Sequence, residues 1–292
     1  MNILYPLAKR FIAGENVDSL LKTMKCMIEK VTINYVGESC SNKRIIEKNL
    51  NEYEYLIYHL KNLNDNIHYE LSPKLSQFGK HKVDWNFASK KLKAVTTNTN
   101  ISIKFDMEHE ETIQDTLDMA KEYRFGVVLQ ANMKRSQTDI DDLLTRYGSI
   151  RICKGAYSGD IKDELEIKKA YLKLVERAFQ HSSYMDHHTV DLHKKILLSI
   201  ATHDESIMKE VKTLANRYDC KEKFYFELLY GIRKDLVIKL LRQGYNARTY
   251  LPYGDKWLYY VVRRLKEFKN LKFVFINLMR EYATKFFGKP VT

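Results

Sequence analysis

Apolar positions recur along the chain in two alternating rhythms. Leu4, Leu7, Ala8, Phe11 and Ile12 keep a helical period as far as Gly14, and Val17, Leu20, Leu21, Met24, Met27 and Ile28 resume it, so two leading helices are predicted within residues 1–30. Val31-Thr-Ile-Asn-Tyr-Val-Gly37 is β-branched and aromatic and stops at glycine, the pattern of a strand. Ser41 can cap a following helix, whose apolar positions Ile45, Ile46, Leu50, Tyr53, Leu56, Ile57 and Leu60 hold period until Asn62-Leu-Asn-Asp-Asn66 breaks it. Strands are then predicted at 67–75, 100–106, 125–131, 149–154, 197–202, 223–228 and 246–250, with helices between them near 84–95, 110–123, 138–146, 161–181, 205–217 and 232–243. With 31–37 there are eight strands. Eight strand-then-helix units call for a parallel sheet, and eight is the number that closes a barrel. The expected fold class is therefore α/β, a (β/α)8 barrel of TIM type with extra N-terminal helices. A doubly wound open sheet is the alternative, but no GxGxxG occurs in the chain. No repeat, low-complexity segment or linker divides the sequence. One domain is expected: helices over 1–30, the barrel over 31–270 and a tail helix over 271–292.

The stretch Leu251–Glu267 is a turn followed by a helix with two stripes. Leu258, Val261, Val262 and Leu265 recur at i, i+3, i+4 and i+7 and are expected to dock on a core. Tyr260, Arg263, Arg264 and Glu267 share the same spacing on a roughly opposite face. Most helical arginines belong to a solvated face. Two adjacent guanidiniums beside a phenol also suit the grip of a planar carboxylate, with the preceding Arg248-Thr-Tyr-Leu-Pro-Tyr-Gly254 as a pocket wall.

Composition adds limits. The 292 residues are 45% hydrophobic and 29% charged, ordinary for a globular protein with a sizeable core, and mean hydropathy is −0.44. Net charge is +12, with no run of five or six basic residues. Such an excess suits nucleic acid, anionic lipid or an anionic ligand; the arginines sit on a pocket face rather than an exposed stripe, so no nucleic acid is expected as partner. Cys26, Cys40, Cys153 and Cys220 are far apart and form no CxxC, which points to a reducing compartment and to no metal. No signal peptide is evident after Met1, and no apolar run reaches the ~18 residues of a spanning helix. The expected location is cytoplasmic, with peripheral contact at the inner face of the membrane through the tail, where Phe273, Phe275, Ile276, Leu278, Phe286 and Phe287 mix with Lys272, Arg280 and Lys285.

In a parallel barrel the active site forms at the C-terminal strand ends. These ends are polar throughout: Glu38, Lys74, Asp106, Gln130, Arg151 and Lys154, His203, Glu227 and Tyr250. Taken singly, a strand-end lysine is usually solvated, His203 can cap a helix, and Arg151 can form a structural ion pair with Asp106 or Glu38. Nine such residues on one rim instead suggest an anionic ligand met by several cations.

The same residues carry a resemblance. In order, Val36-Gly-Glu-Ser39, Leu71-Ser-Pro-Lys-Leu-Ser76, Asp106-Met-Glu108, Leu129-Gln-Ala131, Arg151-Ile-Cys-Lys-Gly-Ala-Tyr157, Ala201-Thr-His-Asp204, Leu229-Tyr-Gly-Ile-Arg233 and Tyr260-Val-Val-Arg-Arg-Leu-Lys-Glu267 resemble the flavin-dependent proline dehydrogenases from about Val31 to Glu267. The resemblance implies a distorted (β/α)8 barrel that binds FAD without a Rossmann domain and oxidises L-proline to Δ1-pyrroline-5-carboxylate, the first step of proline catabolism to glutamate. It implies that Arg263, Arg264 and Lys74 hold the substrate carboxylate, and that Leu228 or Leu229, Tyr250 and Tyr260 pack its ring. On the same basis Asp106 orients Tyr250 and Glu38 pairs with Arg263. Gln130, Arg151, Lys154, Ala156 and His203 fall to the flavin, with Glu267 near the substrate arginines. A quinone is the implied electron acceptor. The chain departs from the family pattern at Asn132, where tyrosine is usual, and at Phe224-Tyr-Phe-Glu227, where Phe-Glu-Phe-Gln is usual. Tyr157-Ser158-Gly159 and Asp186–Asp191 also differ on the flavin side. Two alternatives therefore remain: a catalytically weakened proline- or flavin-binding relative, and a Schiff-base lyase built on Lys74 or Lys154.

Overall fold

The computed structural model describes residues 8–37, 40–63, 67–145, 149–188 and 197–267, with side chains for all of these except 183–188, 197 and 263–267. Eight parallel strands close into a barrel in chain order: β1 (Lys30–Tyr35), β2 (Tyr69–Leu71), β3 (Ile101–Phe105), β4 (Gly126–Gln130), β5 (Ser149–Cys153), β6 (Leu197–Ala201), β7 (Phe224–Leu229) and β8 (Asn246–Tyr253). The helices are α1 (Val17–Met24), α2 (Lys43–Lys61), α3 (Lys82–Thr96), α4 (Glu110–Tyr123), α5 (Ser136–Leu144), α6 (Glu164–His188), α7 (Glu205–Arg217), α8 (Lys234–Arg242) and α9 (Trp257–Glu267). The expected barrel is present. Residues 1–7 of the first leading helix, residues 189–191 of the Asp186–Asp191 stretch and the tail helix over 271–292 lie outside the described residues.

Strand alternation sorts the side chains into two environments. Ile33, Leu71, Ile103, Phe105, Val127, Leu129, Ile150, Ile152, Ile200 and Phe226 belong to the apolar layer beneath the helices, each nearly inaccessible. Burying one such side chain contributes about 1.5–3 kcal/mol, so this sheath holds the barrel closed. The residues between them are polar: Thr32, Glu70, Lys104, Ser149, Arg151, Ser199, Glu227 and Arg248, all buried. Barrel interiors are usually filled by branched apolar residues; here much of the filling is ionic.

Three local expectations are corrected. β2 is only three residues long because Pro73 brings no N–H to a ladder, and Leu75–Phe78 coils into a 3-10 turn. The cap of α2 is Asn42, whose side chain accepts from the Arg44 amide, and not Ser41. On α9, Trp257, Tyr260 and Val261 face inward, while Leu258 and Val262 are more than a third exposed. The stripe read as core is thus turned partly to solvent. The packed face joins Ala8, Phe11, Ile12, Val36 and Ile232 in a second apolar cluster, and Trp257 Nε1 donates to Glu15 at 2.8 Å. The N-terminal segment passes over the end of β7, where a Cβ on Gly231 would lie 1.6 Å from the Arg10 carbonyl oxygen; at φ +75°, glycine fits that approach.

Candidate active site

A cavity of about 230 Å³ lies at the C-terminal ends of the strands. Of the nine polar strand-end residues, eight line it: Lys74, Asp106, Gln130, Arg151, Lys154, His203, Glu227 and Tyr250. Glu38 lies outside the described residues. Ala156, Leu228, Leu229 and Tyr260 complete the walls with Met107, Val128, Cys153 and Ala201. Arg263, Arg264 and Glu267 belong to α9, their side chains undescribed; Arg264 follows Trp257 and Tyr260 at seven and four residues, the spacing of one helical face.

Lys74 is placed by the turn after β2. Its amide donates to Gln77 Oε1 at 2.8 Å, and Gln77 is itself fixed by the Tyr35 carbonyl at 2.7 Å and the Tyr53 hydroxyl at 3.0 Å. The residue is 5% exposed. Among the described residues its ammonium meets no carboxylate, unlike the cations around it.

Asp106 collects three donors: Ser72 Oγ at 2.7 Å, Arg151 Nη1 at 2.6 Å and Tyr250 Oη at 2.6 Å. Burial and then Asp106 raise the Tyr250 phenol well above its usual range, so it stays a donor. The Arg151 guanidinium also lies 5.0 Å from the Tyr250 ring centroid and pairs with Glu227 at 2.8 Å. Burial works against that charge, but Glu227, Asp106 and Glu70 more than offset it and hold the guanidinium protonated. Deeper in the barrel, Glu70 bonds Lys104 at 2.8 Å, Arg248 at 2.9 Å, Thr32 and Ser149. Burial opposes its charge, yet Lys104, Arg248 and Arg151 hold the carboxyl well below the ordinary range. Arg248, read from sequence as part of an aromatic wall, is 1% exposed and stacks 4.5 Å from the Tyr225 ring. Glu70, Lys104 and Arg248 were not among the expected site residues. Their signal was a charge set between apolar neighbours in alternation, as in Tyr69-Glu-Leu71 and Ile103-Lys-Phe105.

At the rim, Gln130 is fixed from both ends, donating to the Glu108 carbonyl at 3.0 Å and accepting from the Ala156 amide at 3.3 Å. His203 Nε2 accepts from the Leu229 amide at 3.0 Å. Lys154 pairs with Asp204 at 2.9 Å while half-exposed. Cys153 is pushed up to about 12 by burial, which keeps it a thiol. Gly155 has φ +118°, and a Cβ there would fall 2.0 Å from Asn132 Oδ1, so this turn between β5 and the rim has room only for backbone. Asn132 donates to the Tyr157 carbonyl at 2.8 Å, while its Oδ1 is buried without a hydrogen bond. Among the described residues no His, Cys, Asp or Glu cluster is arranged to hold a metal ion, and no helix is long and apolar enough to cross a membrane.

The chain is similar to known proteins over most of its length. The family model described as Proline dehydrogenase matches residues 19–274. "Proline dehydrogenase 2" of Bacillus subtilis is 28% identical over 291 residues, covering 94% of this chain and 91% of the relative. "Proline dehydrogenase" of Deinococcus radiodurans is 27% identical over 301 residues, covering 95% and 91%. In fold, the chain is similar to proline utilization A from Bdellovibrio bacteriovorus inactivated by N-propargylglycine, with TM-score 0.75, 20% identity and 89% of this chain covered. The Bradyrhizobium japonicum protein of the same name gives TM-score 0.73 at 19% identity, covering 90% of this chain. The chain spans about a third of those longer proteins, 32% and 31%.

Proposed function

The chain belongs to the proline dehydrogenase family, and from that premise we propose that its cavity oxidises L-proline to Δ1-pyrroline-5-carboxylate with FAD as the hydride acceptor. The observation that carries this reading is Lys74. Lys74 is 5% exposed, lines the cavity and meets no carboxylate among the described residues, and an anionic ligand would supply the counterion. Every other described cation in the cavity already has its counterion.

The donor set fits a flavin. Apolar side chains from Met107, Val128, Cys153 and Ala201 suit the faces of a flat ring system, and Gln130, Lys154 and His203 offer both donors and acceptors to its edge. The Gly155-Ala156 turn keeps side-chain bulk away from that edge. When bound, the flavin supplies a two-electron acceptor.

The chain's own residues do the remaining work. Lys74 fixes the substrate carboxylate; the resemblance adds Arg263 and Arg264 from α9 to the same anion. Tyr250, Tyr260, Leu228 and Leu229 enclose the ring, and Asp106 fixes the orientation of Tyr250 through its hydroxyl. This apolar and aromatic wall favours the neutral secondary amine over the ammonium. Only the neutral amine can release a hydride from its neighbouring carbon, leaving the cyclic imine with its nitrogen protonated. The cluster beneath α9 reaches the cavity through Tyr260 and Leu229 and makes that wall apolar. The electrons then pass to an external acceptor, a quinone on this reading, with Glu38 pairing to Arg263 and the tail over 271–292 meeting the membrane surface.

The deciding experiment is an absorbance scan of the purified protein followed by anaerobic proline. A flavin spectrum that bleaches supports the proposal. A colourless protein trapped by borohydride with substrate would replace it with the Schiff-base lyase. A flavin that stays oxidised with proline bound would leave a binding relative.

A further inference from the structure

Glu227 is a carboxylate with one partner. It is 2% exposed, lines the cavity, and neither oxygen makes a hydrogen bond outside its 2.8 Å ion pair with Arg151 Nη2. No backbone amide, hydroxyl or cap requires it, so packing alone gives no reason for a charge there. Around it the buried ions form a connected set of three cations, Lys104, Arg151 and Arg248, and three anions, Glu70, Asp106 and Glu227. Glu70 and Asp106 are each tied by further hydroxyl donors. Glu227 is the member held by its ion pair to Arg151 alone, with no hydroxyl donor.

We infer that Glu227 sets the net charge of the pocket floor at zero and thereby lowers the electron affinity of the flavin bound above it. The inference rests on the flavin reading of the cavity. Reduction adds negative charge to the ring system, and a free guanidinium in a low-dielectric pocket would stabilise that charge strongly. Arg151 pinned between Asp106 and Glu227 presents no free positive charge, and within the wider set of three cations and three anions its field falls off faster than that of a lone charge. The consequence is an enzyme that discharges electrons readily to its acceptor at some cost in the rate of taking them from substrate. Glu227 acts here through Arg151 and is a positioning residue.

The test is Glu227→Gln in the flavin-loaded protein, read first by sulfite, which adds reversibly to bound oxidised flavins in proportion to their electron affinity. Sulfite association should tighten on the order of tenfold, and dye equilibration should show the two-electron potential rise by about 30 mV, the shift that corresponds to tenfold for such a couple. Glu227→Asp, which keeps the charge, should stay near the wild type, and KM for proline should change less than twofold because Lys74 is untouched. If the glutamine variant does not fold, Glu227→Met removes the same charge. An unchanged potential and sulfite affinity in a flavin-loaded variant overturns the inference and leaves the enzyme assignment standing. A wild type that binds no flavin overturns both.

Discussion

The barrel interior has two ionic storeys with opposite logic. In the lower one, around Glu70, each cation meets a carboxylate and the group is sealed, with Lys104 at 0% and Arg248 at 1% exposure. In the upper one, at the strand ends, Arg151 is paired but Lys74 meets no carboxylate among the described residues, in a cavity with an aromatic wall. Both storeys carry buried charge at a desolvation penalty of several kcal/mol per ion. Where the fold itself supplies the counterion, the charge serves the fold. Where the described residues supply none, as at Lys74, the proposed function gives the charge to a ligand.

Glu70→Gln should break the lower storey. Lys104 and Arg248 would keep their burial and lose their carboxylate, a situation that typically costs about 3–5 kcal/mol. The urea midpoint should drop sharply with an unchanged slope; a loss below about 1 kcal/mol would mean the cluster is not the clamp its geometry suggests. Lys74→Met should do the reverse. Stability should hold or rise, because a charge that meets no carboxylate among the described residues is replaced by an apolar chain of similar length, whereas kcat/KM for proline should fall on the order of 10²-fold, from ~3 kcal/mol for a charge-assisted bond to the carboxylate. Equal damage to stability and turnover would erase the distinction between the storeys.

How far the two were legible in the sequence follows from the same contrast. The outer sheath announced itself, because Ile33, Leu71, Ile103 and Phe105 repeat with the period of a strand and helix-period stretches follow each of them. The upper storey was legible as polar residues at strand ends, the place where a parallel barrel puts its chemistry. The lower storey is hidden from periodicity. Glu70 and Lys104 sit mid-strand, where a charge is normally taken as solvent-facing, and only closure of the sheet turns that face inward. The face of α9 was misjudged because hydrophobicity ranked Leu258 and Val262 above Tyr260, whereas packing against Phe11, Ile12 and Val36 rewards the broad rings of Trp257 and Tyr260. Side-chain pairings such as Glu227 with Arg151 depend on rotamers that no periodicity encodes.

Two smaller effects sharpen the comparison. Lys104 is brought down from 10.5 to about 8, by burial first, against the pull of Glu70. It is protonated in both states at neutral pH. Between about pH 8 and 10 the unfolded chain holds a proton that the folded chain has released, so this group's contribution to stability rises with pH, by at most about 1.4 kcal/mol per unit, and is lost as pH falls through 8. The wild type should therefore gain in urea midpoint over this range relative to Lys104→Met; parallel profiles would refute the burial of the ammonium. Smallest is Tyr250→Phe. It removes one hydroxyl from Asp106, which keeps Arg151 and Ser72, so a loss of about 1 kcal/mol is expected, seen as a severalfold fall in kcat/KM with stability nearly intact.

Closure of the barrel places β1 beside β8, with Thr32 opposite Tyr250 and the Ala13 amide bonded to the Pro252 carbonyl at 2.8 Å. During synthesis the two are far apart in time. At ribosomal speeds of about 5–20 residues per second, β1 is made roughly ten to forty seconds before its last partner emerges. For that interval an apolar strand has one open edge, the form most prone to pair with another chain. Pairings between distant parts of the sequence also slow folding once the chain is complete. The nascent polypeptide is therefore most exposed to misassembly just before its final strand arrives, and a truncation within β8 should trap the molecule in that state, with its soluble yield dependent on chaperones.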